Sequence, residues 1–256
     1  MQKSKQEKQQ NNNLLEYRTV VGDYHRLFWC IMRYKNIHKG AFIERPNRFI
    51  AVCEIQGKEE ICHVKNTGRC RELLVKGATV YLEKSSNPSR KTQYDLIAVK
   101  KNDRLINMDS QIPNFVVVES LNKIFKDITF VKQEYKYGNS RFDIYVETKT
   151  EKIFVEVKGV TLEDNGVVRF PDAPTERGIK HLKELQNAVK DGYRACVVFL
   201  VQMQDVRYFE PNYETHPEFA TELKNAYKNG VEVFVYDSVV TPEEIIMNNR
   251  VETKMP

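Results

Sequence analysis

The sequence predicts an α/β protein of two domains, a small β-barrel followed by a mixed sheet with helices on its faces. Three observations predict it. Short alternating apolar runs cornered by glycine or proline fill residues from about 40 to 105, the apolar period lengthens to about 3.6 after Pro113, and the charge balance changes sign at the same place. Residues 32–105 hold sixteen Lys/Arg against eight acids, a balance of +8, whereas 106–256 hold nineteen against twenty-four, a balance of −5. The expected segments are an extension over 1–31, the barrel over 32–106, the α/β domain over 107–247 and a tail over 248–256.

The first thirteen residues, MQKSKQEKQQNNN, offer almost nothing that a core can bury, and disorder is expected there. Residues 14–31 fit neither a signal peptide nor a regular strand, and patterned sequence begins at Arg33, so Met32 is the expected functional start. In the barrel, strands are expected at Phe49–Ile55, Glu60–Val64, Thr79–Lys84 and Tyr94–Lys100, with a single helical turn at Arg71–Leu74. Turn signals at Gln56-Gly57, Lys76-Gly77 and Asn87-Pro88 give these runs the spacing of a Greek-key barrel of the OB type.

Pro113 suits a first helical turn, and Phe115, Val118, Leu121, Ile124 and Phe125 then form a helical apolar stripe. Strands follow at about 128–137, 140–147 and 152–158, and then a hairpin whose Asn165-Gly166 pair suits a type I′ turn. A helix is expected over about 175–190, with Ile179, Leu182, Leu185 and Val189 as its stripe, Thr175 as N-cap and Gly192 as stop. Tyr193–Gln202 reads as a strand buried on both faces. A helix over about 217–229, stopped by Gly230, and a strand Val231–Tyr236 complete a mixed sheet.

At 256 residues and 41% hydrophobic content the chain can build ordinary packed cores. Its longest apolar runs, such as Leu27–Met32 and Ala195–Val201, fall far short of the roughly 20 residues of a membrane helix, so no membrane partner is expected. Five cysteines, Cys30, Cys53, Cys62, Cys70 and Cys196, contain no C-x-x-C pair. An odd count without that spacing excludes a disulfide framework and a zinc knuckle, and points to a reducing cytoplasm. The basic front domain suits a polyanion, because phosphate neutralisation releases counterions; a merely solvated basic surface is the alternative.

The chemistry concentrates in two adjacent strands. In Ser140-Arg141-Phe142-Asp143-Ile144-Tyr145-Val146, Asp143 alternates with Phe142, Ile144 and Val146 and is expected on the face opposite them. In Lys152–Lys158, Glu156 and Lys158 stand two apart and share a face. Two carboxylates offer the hard oxygen ligands that Mg²⁺ or Mn²⁺ takes, and the lysine can orient water or offset charge on a phosphoryl transition state. This is the layout of a restriction-endonuclease-like D…E-x-K core. A surface hairpin with cross-strand charge pairs is the alternative. Glu119 and Glu134 are further candidate metal-site acids. Arg177 and His181, one helical turn apart, are placed to approach a phosphate beside the carboxylates.

Lys136-Tyr137-Gly138 with Ser140-Arg141-x-Asp143, then Val155-Glu156-Val157-Lys158 with Val160-Thr161-Leu162, resemble the central signature of the sugar fermentation stimulation proteins. Phe170-Pro171-Asp172-Ala173-Pro174-Thr175-Glu176-Arg177-Gly178 with Lys180-His181-Leu182 look like a second block of that family. Asn66-Thr67-Gly68, Asn87-Pro88-x-Arg90-Lys91 and Pro113-Asn114 look like others. The resemblance covers about 32–247, and departs at Cys70 and Arg71, where smaller or apolar residues are more usual.

The resemblance implies an OB-like front domain, a nuclease-fold back domain, and DNA binding linked to regulation of sugar-utilisation genes. Its nuclease core falls here on Asp143, Glu156 and Lys158, and the candidate DNA contacts are Arg69, Arg90, Lys91, Arg141, Arg177 and His181. Three functions follow as expectations. The first is a Mg²⁺- or Mn²⁺-dependent DNA phosphodiesterase, and the second a DNA-binding regulator that keeps the fold without turnover. The third is an RNA-binding module in which Phe49, Tyr81 and Tyr94 stack bases.

Overall fold

The computed structural model describes residues 33–255 except Thr67 and Asn139; the extension 1–31, the expected start at Met32 and Cys30 lie outside the described residues. The front domain begins with β1 (Ile37–Asn47), β2 (Ile50–Ile55), β3 (Lys58–Val64), β4 (Thr79–Lys84) and β5 (Tyr94–Lys101), followed by β6 (Arg104–Asn107). They lie in the order β3-β2-β1-β4-β5-β6, and a parallel pairing of β3 with β5 closes five of them into a barrel. This is the OB-type barrel the sequence predicts. Its interior is filled by alternate residues such as Val80, Leu82, Leu96 and Val99, all essentially inaccessible to water. Gln56 and Gly57 both take positive φ, 53° and 77°, which gives the β2–β3 hairpin its type I′ turn.

Two front-domain strands are missing from the sequence reading, the short β6 and the longest strand, β1. Only Phe42 of its eleven residues is buried, and bulges interrupt its pairing with β2 on both sides of Glu44, so no alternation survives to be read. Gly40 is required there, because a Cβ would lie 2.6 Å from the Glu54 carbonyl oxygen.

The back domain opens with α1 (Ile112–Glu119) and a 3-10 turn at Leu121–Lys123. Then come β7 (Ile128–Tyr137), β8 (Ser140–Thr148), β9 (Lys152–Val160), β10 (Leu162–Asp164), β11 (Val167–Phe170) and α2 (Glu176–Lys190). The chain continues through β12 (Arg194–Val201), β13 (Tyr208–Pro211), α3 (Pro217–Lys228), β14 (Glu232–Val240) and β15 (Ile245–Arg250). The main sheet runs β15-β14-β12-β9-β8-β7, with β9, β12 and β14 parallel and the flanking pairs antiparallel. A smaller sheet, β10-β11-β13, stands beside it.

Helix α1 covers one face of the main sheet, packing Ile112, Val116 and Val117 with Ile144, Val155 and Val198. Leu182, Leu185 and Ala188 of α2, with Phe219 and Leu223 of α3, cover the other. The stripe expected on α1 is therefore rotated: Phe115 and Val118 stand at its margin, while Val116 and Val117 are the buried pair. A helix packed against a two-sided apolar sheet tolerates apolar residues around most of its circumference, which hides the true face. Helix α2 is capped as predicted, the Thr175 hydroxyl accepting the Gly178 N–H at 3.1 Å. Residues 248–250, expected as tail, complete β15, and beyond it the Val251 and Lys254 amides donate to the Val235 and Phe209 carbonyls.

A charged and amide network joins the domains. Lys101 and Arg104 grip the buried Glu163 at 2.9 and 2.7 Å, and the Gln202 side-chain amide donates to the Asn107 and Asp109 carbonyls. No helix among the described residues is long and apolar enough to cross a membrane.

Candidate functional site

The site forms where β8 parts from β9. Their last paired residues are Ile144 and Val155, and one residue earlier the strand pairing is taken over by a side chain: Asp143 Oδ2 accepts the Val157 N–H at 2.8 Å. Asn114 Nδ2, from the first turn of α1, donates to Asp143 Oδ1 at 3.1 Å. The alternation read from the sequence slips here. Ile144 and Val146 pack under α1, but Phe142 packs on Phe154 with Tyr145 on the other face. Glu134, opposite in β7, sits at φ 53° where that strand yields to the slip.

Glu156 is 1% exposed, and it faces α2 with Lys158. Its Oε1 accepts from Lys158 Nζ at 2.5 Å and from His181 Nδ1. Its Oε2 is buried with no hydrogen-bond partner among the described residues. A buried carboxylate oxygen left without a donor costs free energy unless something positive meets it. Burial raises the Asp143 carboxyl above the ordinary range, and the neighbouring Glu156 charge raises it further, only partly offset by Lys158 and the Val157 amide. Glu156 goes the other way: burial pushes it up, but Lys158 and His181 together outweigh burial and hold it below its usual value.

The other predicted residues fall in different places. His181 is buried and holds Glu156 through Nδ1, while exposed Arg177 donates from Nε to His181 Nε2 at 3.4 Å; the histidine thus braces a carboxylate where a phosphate contact was expected. Glu134 is solvent-exposed and pairs loosely with Arg141 at 3.7 Å. Glu119 ends α1, about 7.5 Å along the helix axis from Asn114, and it is Asn114 that the helix sets against Asp143. Among the described residues no three His, Cys, Asp or Glu side chains gather as a metal site, and of the four acids expected the structure brings Asp143 and Glu156 close enough for one charge to raise the other's carboxyl.

In the barrel, Arg90 is committed: its guanidinium makes two bonds, 3.0 and 2.6 Å, to the buried Asp95, which Lys65 and His63 also contact. It is a structural cation rather than a hand held out to DNA. Lys91 and Arg69 are exposed. Asn114 is the site residue the sequence reading missed; Pro113-Asn114 stood in a family block, but nothing in spacing tied Asn114 to Asp143.

Residues 43–108 match the family model described as the SfsA N-terminal OB domain, and residues 111–244 the one described as the sugar fermentation stimulation protein RE domain. A sugar fermentation stimulation protein homolog of Clostridium beijerinckii is 59% identical over 223 residues, covering 86% of this chain and 99% of that one. One from Ruminiclostridium cellulolyticum is 58% identical over 226 residues, covering 88% and 100%. Among solved structures, Pyrococcus furiosus SfsA in complex with Ca²⁺ superposes with a TM-score of 0.79 at 28% identity, covering 88% of this chain and 98% of that one.

Proposed function

The chain belongs to the sugar fermentation stimulation protein family, and on that premise we propose that it is a DNA-binding protein that hydrolyses a phosphodiester bond at Asp143, Glu156 and Lys158 with Mg²⁺ or Mn²⁺. The observation that carries this reading is the orphaned, buried Glu156 Oε2 beside a second carboxylate whose proton affinity is raised. A two-carboxylate pair fits a hard divalent cation that keeps water and phosphate oxygens as its other ligands. The Pyrococcus relative was solved with Ca²⁺, a cation of that kind. When bound, the cation would polarise the phosphate and activate water.

The chain's own residues divide the remaining work. Asn114 and the Val157 amide fix the Asp143 carboxylate, and His181 fixes Glu156 from the helical side. Lys158, about one-fifth exposed, can leave Glu156 Oε1 to orient water or to offset charge growing on the phosphoryl oxygens. A reducing cytoplasm suits the four described cysteines, all free and buried.

Incubating end-labelled DNA with the protein and Mg²⁺ or Mn²⁺ tests the proposal. Cleavage that needs the cation, and that falls by about two to three orders of magnitude in Lys158→Ala, is the expected outcome. No cleavage of single-stranded, duplex or gapped DNA would sink it. One observation favours the second reading, a DNA-binding regulator of sugar use without turnover: Lys158 is closed onto Glu156 at 2.5 Å, satisfying one ligand oxygen from within.

A further inference from the structure

Arg45 spends its guanidinium on the chain itself. It donates to the carbonyls of Arg48, Asn66, Gly68 and Arg69 at 2.7 to 2.9 Å, and so pins the tip of the β1–β2 hairpin to the loop after β3. Around this hub opens a cleft of about 410 Å³ lined by Arg48, Arg69 and Arg71 from the barrel and Ala173 from the α/β domain. All three arginines are exposed, and none forms an ion pair among the described residues. A second cavity of about 160 Å³ shares Gly68 with the first and runs past Asn66 and Thr161 to Gly159, the residue after Lys158. At Gly68 the domains pack tightly, since a Cβ there would overlap the Asp172 carboxylate. The two cavities thus lie in line along the domain junction, basic at the outer end, and at the inner end the line meets β9 at Gly159, next in sequence to Lys158 but lined by none of Asp143, Glu156 or Lys158.

At the outer end, beside Arg48, Phe49 is 50% exposed on the hairpin tip. The other two aromatic residues expected to stack bases in the barrel are spent elsewhere: Tyr94 is 7% exposed with His38 edge-on against it, and Tyr81 packs against an apolar cluster. A protruding phenyl ring with the Arg48 guanidinium over it and two further exposed guanidinium groups on the same cleft recognises a base with an open face and the phosphates next to it. Bases inside a duplex are already stacked on both faces, so a duplex would meet only the arginines.

We infer that this junction path binds a single DNA strand, with Phe49 stacking an unpaired base and Arg48, Arg69 and Arg71 holding its phosphates, so that the substrate of the nuclease-like site is DNA with an unpaired segment. The inference rests on the proposed function, and it adds the substrate class.

Fluorescence anisotropy on the full chain in EDTA tests it without any cleavage, using labelled oligo(dT), a duplex of equal length and oligo(U). Oligo(dT) binds more tightly than duplex. Phe49→Ala weakens oligo(dT) binding about tenfold, within the range that one base stack supplies, and changes duplex binding less than about twofold. Replacing Arg69 and Arg71 together by Ala lowers the salt slope for oligo(dT) by about 1.4, two single-strand phosphate contacts. Oligo(dT) affinity unchanged in Phe49→Ala, an equal loss on duplex, or tighter binding of oligo(U) than of oligo(dT) overturns the inference. Each of those results leaves the cleavage assay to judge the nuclease reading by itself.

Discussion

Two carboxylates of opposite electrostatic habit define the site at the scale of single residues. Asp143 is half-buried and raised, Glu156 buried and held down by two cationic neighbours, and the only oxygen of the pair without a donor among the described residues is Glu156 Oε2. Removing the Asp143 charge should therefore relieve the metal-free protein. Asp143→Asn keeps an oxygen for the Val157 amide, and in EDTA at neutral pH its melting temperature should rise by about 2–4 °C, the shift that roughly 1 kcal/mol gives a chain of this size. The same variant should lose the gain that millimolar Mn²⁺ gives the wild type through binding only to the folded site. A metal-induced gain that survives in Asp143→Asn would place the cation elsewhere. Spacing alone brought Asp143, Glu156 and Lys158 into view, because a period of two is fixed by the strand itself. It could not show that Arg90 is spent on Asp95, a partner five positions away whose burial depends on the closed barrel. Arg90→Ala should accordingly cost about 1.5–3 kcal/mol through lost hydrogen bonds to a charged group, Lys65 and His63 still contacting Asp95, read as a lowered urea midpoint. The exposed Lys91→Ala should leave the midpoint unchanged and weaken DNA binding modestly instead.

At the scale of elements, α1 and β9 hold the site through contacts too tight for a side chain at Gly159. A Cβ there would overlap the Gln202 amide oxygen and lie 2.8 Å from Pro113 Cγ. Pro113 carries Asn114, and Asn114 carries Asp143. Gly159→Ala should cost about 1–3 kcal/mol as an overpacking change, and it should also loosen the metal site. Calorimetry would show both effects, a lower melting temperature and a smaller gain from Mn²⁺; a drop in stability with the full gain retained would uncouple α1 from Asp143. The elements most legible in the sequence are those whose ends are written in turn chemistry. Thr79–Lys84 falls on β4 to the residue, Asn165-Gly166 turns the β10–β11 hairpin, and Thr175 caps α2. β1, β6, β13 and β15 were not legible, β6 having only four residues. β1 is bulged and mostly half-exposed, and β13 is four residues long and ordered by its parallel partner β11. β15, with only Ile245 and Met247 buried, is ordered by pairing with β14.

Across the whole molecule, the domains share both apolar clusters and are joined besides by a charged network with Glu163 at its centre. Burial pushes its carboxyl up, but Lys101, the Gly166 amide and Arg104 outweigh burial and hold it below its usual value; Asp95 is likewise held down by Arg90 and Lys65. A carboxylate lowered on folding stabilises the native state fully above its unfolded value near 4, and that stabilisation is lost as pH falls through the native value. The melting temperature should therefore drop as pH is lowered below about 5. Glu163→Gln should flatten that drop, while costing about 3 kcal/mol at neutral pH by leaving Lys101 and Arg104 without their buried partner. An unchanged acid profile would show that the junction is not held by these pairs. The division into a basic front and an acidic back was plain from the charge count, but the junction itself was invisible in the sequence. Its members Lys101, Glu163 and Gln202 stand about 40 to 100 positions apart and carry no local pattern.

The claim on which the rest depends is that Asp143 and Glu156 together hold a divalent cation, and isothermal titration of Mn²⁺ into the metal-free protein tests it most directly. A saturable site that binds in wild type and Lys158→Ala and disappears in Asp143→Asn is the predicted result. No saturable binding at millimolar Mn²⁺, or binding of equal strength in Asp143→Asn, would contradict it.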